Sequence, residues 1–275
     1  MPILTPSGKT LMLGRRRPVA RGPRFRLANY LLQTIPPPPS SADYSTKASA
    51  ALSQVYLNDQ LGDCVIAAIA HLLGIFSANA QEPPIVLTDA EIIALYGQIG
   101  GYDPNNPATD QGCDEVTALN WWQEYGAPTG KNQIAGWMQV DGTNPVEVRT
   151  ALWLFENLFF GVDLPDAWVQ PAPQESGFTW DIAGGSDPNN GHAFVGVAYD
   201  AKGILIDTWG MEGTITDAAI ARYTAQAEGG ALYTVLSSES IISAALKAPN
   251  GFGWASLVAD FNSMGGDVKN LLGRQ

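Results

Sequence analysis

The sequence contains few residues that carry metal or redox chemistry. It has two cysteines, Cys64 and Cys113, and two histidines, His71 and His192. Two cysteines are too few for the disulfide framework of a small secreted domain. No pair among these four residues has the close spacing of a zinc motif, so we expect neither a metal site nor a cofactor.

Long hydrophobic runs are also absent. The longest apolar stretch, near residues 65–76, is interrupted by His71 and Gly74 and is shorter than the ~20 residues of a membrane span. The first residues, MPILTPSGKTLMLGRRRPVARG, lack an apolar segment after their charges, so we expect no secretory signal. These absences predict a cytoplasmic protein that does not bind membranes.

Acidic residues are missing from the first 42 positions. This segment carries +7, whereas the whole chain carries −12, which leaves −19 for the remainder. An acidic body argues against nucleic-acid binding by the domain, because Lys and Arg make phosphate contacts. Residues 1–46 lack helical or strand periodicity and end in IPPPPSSADYST, which favours an extended spacer. We predict a basic arm that stays disordered, or docks on its own acidic body or on a protein partner.

Apolar residues, in contrast, are plentiful. They make up 45% of the 275 residues, enough for a full core. Periodicity and caps predict helices over residues 62–76, 88–101, 113–126 and 144–158, followed by strands within 159–168, 192–210 and 231–241. This order favours an α+β fold with a helical N-terminal half and an antiparallel β-sheet in the C-terminal half. We divide the chain into the arm, a domain over 47–241 and a weakly helical tail over 242–275.

The segment NDQLGDCVIAAIAHL, residues 58–72, places Cys64 where a loop becomes a helix. Asp63 is a good N-cap, which makes Cys64 the first helical residue. A thiol attacks as its thiolate, and the free N–H groups and positive dipole end of a helix favour that charge. The same N–H groups can hold an oxyanion. The alternative is a small buried residue with no chemistry.

A thiol nucleophile needs a base and a group that orients the base. His192 starts a strand after a flexible NNG and is the candidate base, since His71 lies ~10.5 Å along the helix of the cysteine. Asp207, in ILIDTWG, is the candidate orienter. A turn at residues 200–203 places Asp207 opposite Gly196, on the face of His192 but ~13 Å away. A bulge or a shifted turn would have to close that gap.

These segments, taken in order, resemble the papain-like cysteine peptidase superfamily. NDQLGDCVIAA is similar to its nucleophile loop and helix, DQGCDEVTALNWW to its Gln-Gly-Cys segment, GHAFVGVAYD to its histidine strand and DTWG to its Asn-Ser-Trp-Gly. VRTALWLFENLFFGVDL and ALYTVLS resemble the elements before the histidine and the closing strand. The resemblance covers roughly residues 50–240. It implies a papain-like fold with Cys64 as nucleophile, His192 as base and Asp207 as orienter, and Trp209 shielding the last two.

The sequence departs from the family pattern at three places. Asn58, rather than glutamine, stands six residues before the cysteine, and Gln60 stands four before it, so either amide is a candidate oxyanion donor. Leu61 replaces an upstream disulfide cysteine, which leaves Cys113 as a free thiol. Asp207 replaces asparagine, and the resemblance implies an orienting role for it, as in the bacterial leader peptidases of the same superfamily and in transglutaminases and arylamine N-acetyltransferases. The aspartate therefore leaves both hydrolysis and acyl transfer open.

Three functional hypotheses follow from these residues. The first is a thiol hydrolase, a peptidase or amidase, or an acyl transferase that uses a Cys-His-Asp triad on a peptide or amide substrate. The second is a non-catalytic assembly protein on the same fold, for example a component of a phage-like particle attached through its arm. The third combines the first two, with residues 1–46 lying over the cleft as an inhibitory, propeptide-like segment.

Overall fold

The computed structural model describes residues 1–18, 25–248 and 250–263. Residues 19–24 of the predicted arm and 264–275 of the predicted tail lie outside this part of the chain. Within it, the α-helices are α1 (Ser49–Leu52), α2 (Cys64–Asn79), α3 (Asp89–Gly100), α4 (Glu115–Tyr125), α5 (Pro145–Phe155), α6 (Asp166–Val169), α7 (Asp217–Tyr223), α8 (Ser238–Lys247) and α9 (Trp254–Ser263). The strands are β1 (Pro2–Leu4), β2 (Thr10–Met12), β3 (Ala42–Asp43), β4 (Gly136–Gln139), β5 (Leu158–Asp163), β6 (Phe178–Trp180), β7 (Gly191–Asp200), β8 (Gly203–Thr208), β9 (Met211–Ile215) and β10 (Ala231–Leu236).

The predicted helices form where local capping signals mark their ends. α3 has a reciprocal capping box in which the Thr88 and Glu91 side chains each bond the other's backbone N–H, and Gly101 ends it with a left-handed φ of 78°. Asp114 caps α4 by accepting from a backbone N–H of the first turn, and Asn144 does the same for α5. These helices are encoded within their own sequence.

The main sheet runs in the order β4-β10-β5-β7-β8-β9-β6, and β3 pairs with β7 from outside this path. Adjacent strands in this sheet are antiparallel, except that β6 and β9 are parallel. The predicted turn at residues 200–203 is confirmed, because β7 ends and β8 begins there. The short strands β4, β6 and β9 were not predicted from the sequence. Helices together with this mixed sheet confirm the α+β class.

Helices cover both faces of the sheet, and the central strand β7 is buried on each side. Ala193 and Val195 of β7 join the core cluster that includes α2, α3 and α4. Phe194, between them, joins the opposite cluster, which includes α5, α7 and α8. Residues of one strand therefore alternate between two cores, so a shift of one residue moves a side chain from the α2 face to the other face.

The arm is more structured than its sequence indicates. β1 and β2 form an antiparallel hairpin, and Leu11, Leu13 and Leu27 are buried in the core. The predicted spacer contributes β3 to the main sheet. In the tail, α8 and α9 account for the predicted helical character. The division into arm, domain and tail stays a prediction. No helix in the described ranges is long and apolar enough to cross a membrane.

Candidate active site

Cys64 lies at the start of a helix that is buried over nearly its whole length. Asp63 holds the N-cap position of α2, as predicted. The cap hydrogen bond expected of its side chain is absent, because Asp63 accepts instead from Asn58 Nδ2 at 3.2 Å. Burial raises the pKa of this carboxyl well above its usual range. A neutral Asp63 removes a charge that would oppose a thiolate at Cys64.

The Cys64 thiol is held neutral in this conformation. Its residue is 1% exposed. Burial raises the thiol pKa to about 12, and the nearby backbone amides of Ala193 and Gly14 offset this only in part. A thiolate would therefore be rare at neutral pH. Cys113 is also buried and is a free thiol, as predicted.

His192 lies near the start of β7 and is fully buried. Its Nε2 lies 2.7 Å from the Thr208 hydroxyl, and its Nδ1 has no hydrogen-bond partner. The ring stacks on Trp209 with centroids 4.3 Å apart. Burial lowers the pKa of the imidazole to about 3, so it is neutral. The backbone of Ala193, the next residue along β7, lies close to Cys64, whereas the His192 ring stacks on Phe194 on the other side of the strand.

Asp207 does not contact His192 in the structure. A β-bulge between Gly196 and Ala198 shifts the register, so Asp207 lies opposite Val195 rather than Gly196 as expected. Val195 is an odd number of residues from His192, and the aspartate therefore faces the other side of the sheet. The bulge anticipated as a way to join the two side chains separates them instead. The role of Asp207 as orienter stays a prediction that this register does not support.

On its own face, Asp207 meets the second histidine of the chain. His71 Nε2, from α2, lies 3.2 Å from Asp207 Oδ1. Both side chains are almost fully buried. Burial raises the pKa of Asp207 well above its usual range and lowers the pKa of His71 to about 3. We therefore interpret the contact as a protonated carboxyl beside a neutral imidazole, which avoids burying two charges.

The two oxyanion candidates differ in their surroundings. Asn58 is 2% exposed, and its amide donates to Leu61 O at 3.0 Å and to Asp63 at 3.2 Å. Both N–H groups of this amide are therefore engaged. Gln60 is exposed. An exposed amide can turn toward a ligand, and the choice between Gln60 and Asn58 as oxyanion donor stays a prediction.

A segment of the arm covers Cys64. We call residues 12–17 the strap. Met12 donates its backbone N–H to Asn58 O, and Trp209 Nε1 donates to Met12 O. Cys113 N donates to Gly14 O at 3.2 Å. The strap thus bonds the loop before the nucleophile through Met12, and it also bonds Trp209 and Cys113.

Further main-chain bonds hold the strap after Gly14. Arg15 N donates to Gly191 O at 3.1 Å, and Arg16 N donates to Cys113 O at 2.9 Å. Gly191 directly precedes His192. A cavity of about 330 Å³ opens beside the strap, between Asp110 and Asn189. The strap is therefore bound as an extended peptide between the loop before Cys64 and the residues that flank His192 and Cys113.

Glycines let the backbones approach this closely. A Cβ on Gly14 would lie 1.7 Å from Gly62 O, and one on Gly112 would lie 1.6 Å from Gly14 O. A Cβ on Gly191 would lie 2.2 Å from Arg15 O. No side chain fits at these distances, so the fit of the strap depends on glycine in the strap and in the walls of the groove.

Several contributors to the site are not indicated by the sequence. Thr208 and His71 were not predicted as partners of His192 and Asp207. Arg15, one of three consecutive arginines, carries a side chain that is buried among acidic groups. Their partners are far away in the sequence, so no local pattern indicates them. In the described residues no group of three His, Cys, Asp or Glu side chains is arranged to hold a metal ion.

The chain is similar in structure to several cysteine proteases. Xylellain, a cysteine protease from Xylella fastidiosa, matches with a TM-score of 0.56 at 15% identity over 82% of this chain and 95% of that one. Digestive procathepsin L2 from Tenebrio molitor has a TM-score of 0.55 at 10% identity over 82% and 78%. The ragweed pollen cysteine protease Amb a 11, in its proform, has 0.52 at 14% identity over 74% and 68%.

These similarities show that the chain has a papain-like fold, as the sequence motifs indicate. No protein-family model and no curated protein matches the sequence.

Proposed function

We propose that the chain is a papain-like thiol hydrolase that cleaves peptide or amide bonds, with Cys64 as nucleophile. One observation carries the proposal: an extended peptide, the strap, lies against Cys64 and is bonded main chain to main chain on both sides. A substrate peptide would be held in the same way. The fold shared with cysteine proteases supports the same reaction class.

The described contacts suggest how the chemistry would proceed. Cys64 Sγ attacks the carbonyl carbon and forms a thioester as the amine departs, and water then hydrolyses the thioester. Thr208 holds His192 through Nε2, so the unpartnered Nδ1 is the atom that would accept the thiol proton and deliver it to the amine. Thr208 thereby supplies the orienting contact that was expected of Asp207. Gln60 and the Cys64 N–H are the proposed oxyanion donors.

The described conformation would be a latent form of this enzyme. Burial holds both Cys64 and His192 neutral, whereas catalysis needs a thiolate or a base that can generate one. Withdrawal of the strap would admit water and a substrate to the groove. Hydration lowers the thiol pKa and raises the imidazole pKa, and both changes favour proton transfer from Cys64 to His192.

A second candidate is a non-catalytic assembly protein. Two observations favour it: the groove is filled by the chain's own strap, and Asp207 contacts His71 rather than His192. In this case the strap is a permanent part of the fold and Cys64 is a buried core residue. Acyl transfer to an amine is a variant of the first proposal, since it would use the same thioester.

The rate of Cys64 alkylation against pH distinguishes the candidates. We would use iodoacetamide on a full-length Cys113→Ser chain carrying Gly14→Ala to loosen the strap, with His192→Ala as the matched variant. A hydrolase predicts a fast phase below pH ~6.5 that disappears in the histidine variant, since an isolated thiol titrates near ~8.5. A simple titration near ~8.5 that is unchanged by His192→Ala would refute the catalytic pairing. A pool of fluorogenic peptide amides then tests turnover.

A further inference from the structure

Building on the hydrolase function above, we propose that Glu115, Asp163 and the carbonyl of Gly229 form a specificity pocket for an arginine side chain of the substrate. We call these three residues the acidic pocket. In the described structure Arg15 of the strap occupies it.

The acidic pocket holds the Arg15 guanidinium on two of its edges. Nε and Nη2 donate to the two carboxylate oxygens of Glu115 at 3.0 Å and 2.8 Å, a bidentate arrangement. Nη1 donates to Asp163 Oδ1 at 2.9 Å and to Gly229 O at 2.8 Å. The side chains of Arg15, Glu115 and Asp163 are at most 1% exposed. This pocket binds a planar fork of donors, which arginine presents and lysine does not.

The walls of the pocket leave room for this side chain. A Cβ on Gly161 would lie 2.3 Å from Glu115 Oε1 and 2.9 Å from Arg15 Nε. A Cβ on Gly229 would lie 2.4 Å from Asp163 Oδ2. Any larger residue at either position would displace a carboxylate or the guanidinium. The space is therefore shaped by β5 and by the loop before β10 to fit the ion-paired group.

The pocket lies beside the proposed point of cleavage. The backbone N–H of Arg15 bonds Gly191 O, next to His192, and the backbone of the preceding Gly14 lies against the Cys64 sulfur. A peptide bound along the same groove would place one side chain in the pocket and an adjacent backbone group at the thiol. The pocket would thus select a residue close to the bond that is cleaved.

Electrostatics explain why the pocket requires a cation. Glu115 and Asp163 share one buried space, and an unpaired charge in such a space is strongly destabilising. Arg17 contacts the far oxygen of Asp163 at 2.6 Å, but its own side chain is 52% exposed and belongs to the strap. When the strap leaves, both cations leave with it. A substrate arginine would restore the lost pairing.

The first experiment measures ligand binding without any activity. Full-length Arg15→Ala is melted in increasing methylguanidinium chloride, with methylammonium chloride and N-methylurea as probes that lack the fork or the charge. We expect methylguanidinium to raise the melting temperature of Arg15→Ala progressively with concentration. Wild type, in which Arg15 fills the pocket, and Arg15→Ala/Glu115→Gln should not respond in this way. Equal responses of all three proteins, or no response, would overturn the proposal.

The second experiment links the pocket to the thiol. Peptidyl chloromethyl ketones that carry arginine or its neutral isostere citrulline are compared for labelling of Cys64, read by mass spectrometry. In Arg15→Ala we expect arginine to label at least about 100-fold faster, because citrulline leaves the buried carboxylates unpaired. Glu115→Gln should reduce this ratio. Gly14→Ala, which loosens the strap but leaves the pocket residues unchanged, provides the same comparison if Arg15→Ala does not fold.

The two experiments separate failure of the pocket from failure of the hydrolase. A fast, His192-dependent reaction with iodoacetamide but equal rates for arginine and citrulline would refute the specificity pocket and leave the hydrolase standing. Binding of methylguanidinium together with an unactivated Cys64 would refute the hydrolase, and with it the substrate role of the pocket. A guanidinium site that merely anchors the strap would then remain.

Discussion

The strap makes a quantitative prediction about Gly14→Ala. A methyl group at this position would lie 1.7 Å from Gly62 O, and the clash is therefore with the backbone of the loop before Cys64. Such a contact cannot be relieved by turning a side chain. We expect the strap to move away from the groove and to admit water to the thiol. Gly185 is the matched control, since a Cβ there meets nothing within 4 Å.

The size of the effect follows from the thiol pKa. With a pKa of about 12, the thiolate fraction of Cys64 at pH 8 is ~10⁻⁴, whereas a hydrated thiol with a pKa of ~8.5 is about one quarter ionised. The more acidic thiolate is also a weaker nucleophile, by roughly 40-fold over ~3.5 pKa units at a Brønsted slope of ~0.45. Hydration alone, with no contribution from His192 and no gain in access, therefore predicts alkylation roughly 60-fold faster.

The assay is the iodoacetamide rate at pH 8 in a Cys113→Ser background, for the wild-type, Gly14→Ala and Gly185→Ala chains. Near-ultraviolet circular dichroism and a thermal melt report whether the fold persists. A folded Gly14→Ala protein that reacts at the wild-type rate would show that the strap does not control Cys64. Equal acceleration by Gly185→Ala would show that the effect is general loosening.

Substitutions at three other positions give further tests. Thr208→Val leaves Nε2 of the buried His192 unsatisfied and should lower the unfolding free energy by about 1–3 kcal/mol, whereas Thr208→Ser should lose less; urea unfolding measures both. Burial raises the pKa of Asp207, so the wild-type chain loses stability as pH rises above the unfolded pKa of ~3.9. The unfolding free energy of Asp207→Asn relative to wild type should therefore grow by about 1.4 kcal/mol per pH unit up to the folded pKa. A difference in unfolding free energy that does not change with pH would contradict this. Asn144→Ala removes the α5 cap and should cost about 1 kcal/mol in the same urea assay.

Several parts of this protein could be predicted from short stretches of sequence. The capping box of α3 needs only residues three apart, and the turn between β7 and β8 needs only its four residues. Cys64 at the start of a helix is equally local, since the loop and the apolar periodicity adjoin it. The order of such segments was enough to indicate the papain-like fold.

The candidate site was harder to predict because its contacts join distant residues. The hydrogen bond from Arg15 to Gly229 spans 214 positions, and no pattern near either residue indicates it. The arm lacks periodicity because only part of it pairs with itself, while the strap pairs with loops elsewhere in the chain.

The sequence by itself determined which residues could do chemistry and on which elements they lie. Tertiary structure alone decided which of them meet. A single extra residue between Gly196 and Ala198 turns Asp207 away from His192, because side chains alternate between the faces of a strand. Burial beneath the strap then sets the pKa of Cys64, because the cost of a charge depends on the surrounding solvent and not on the local sequence.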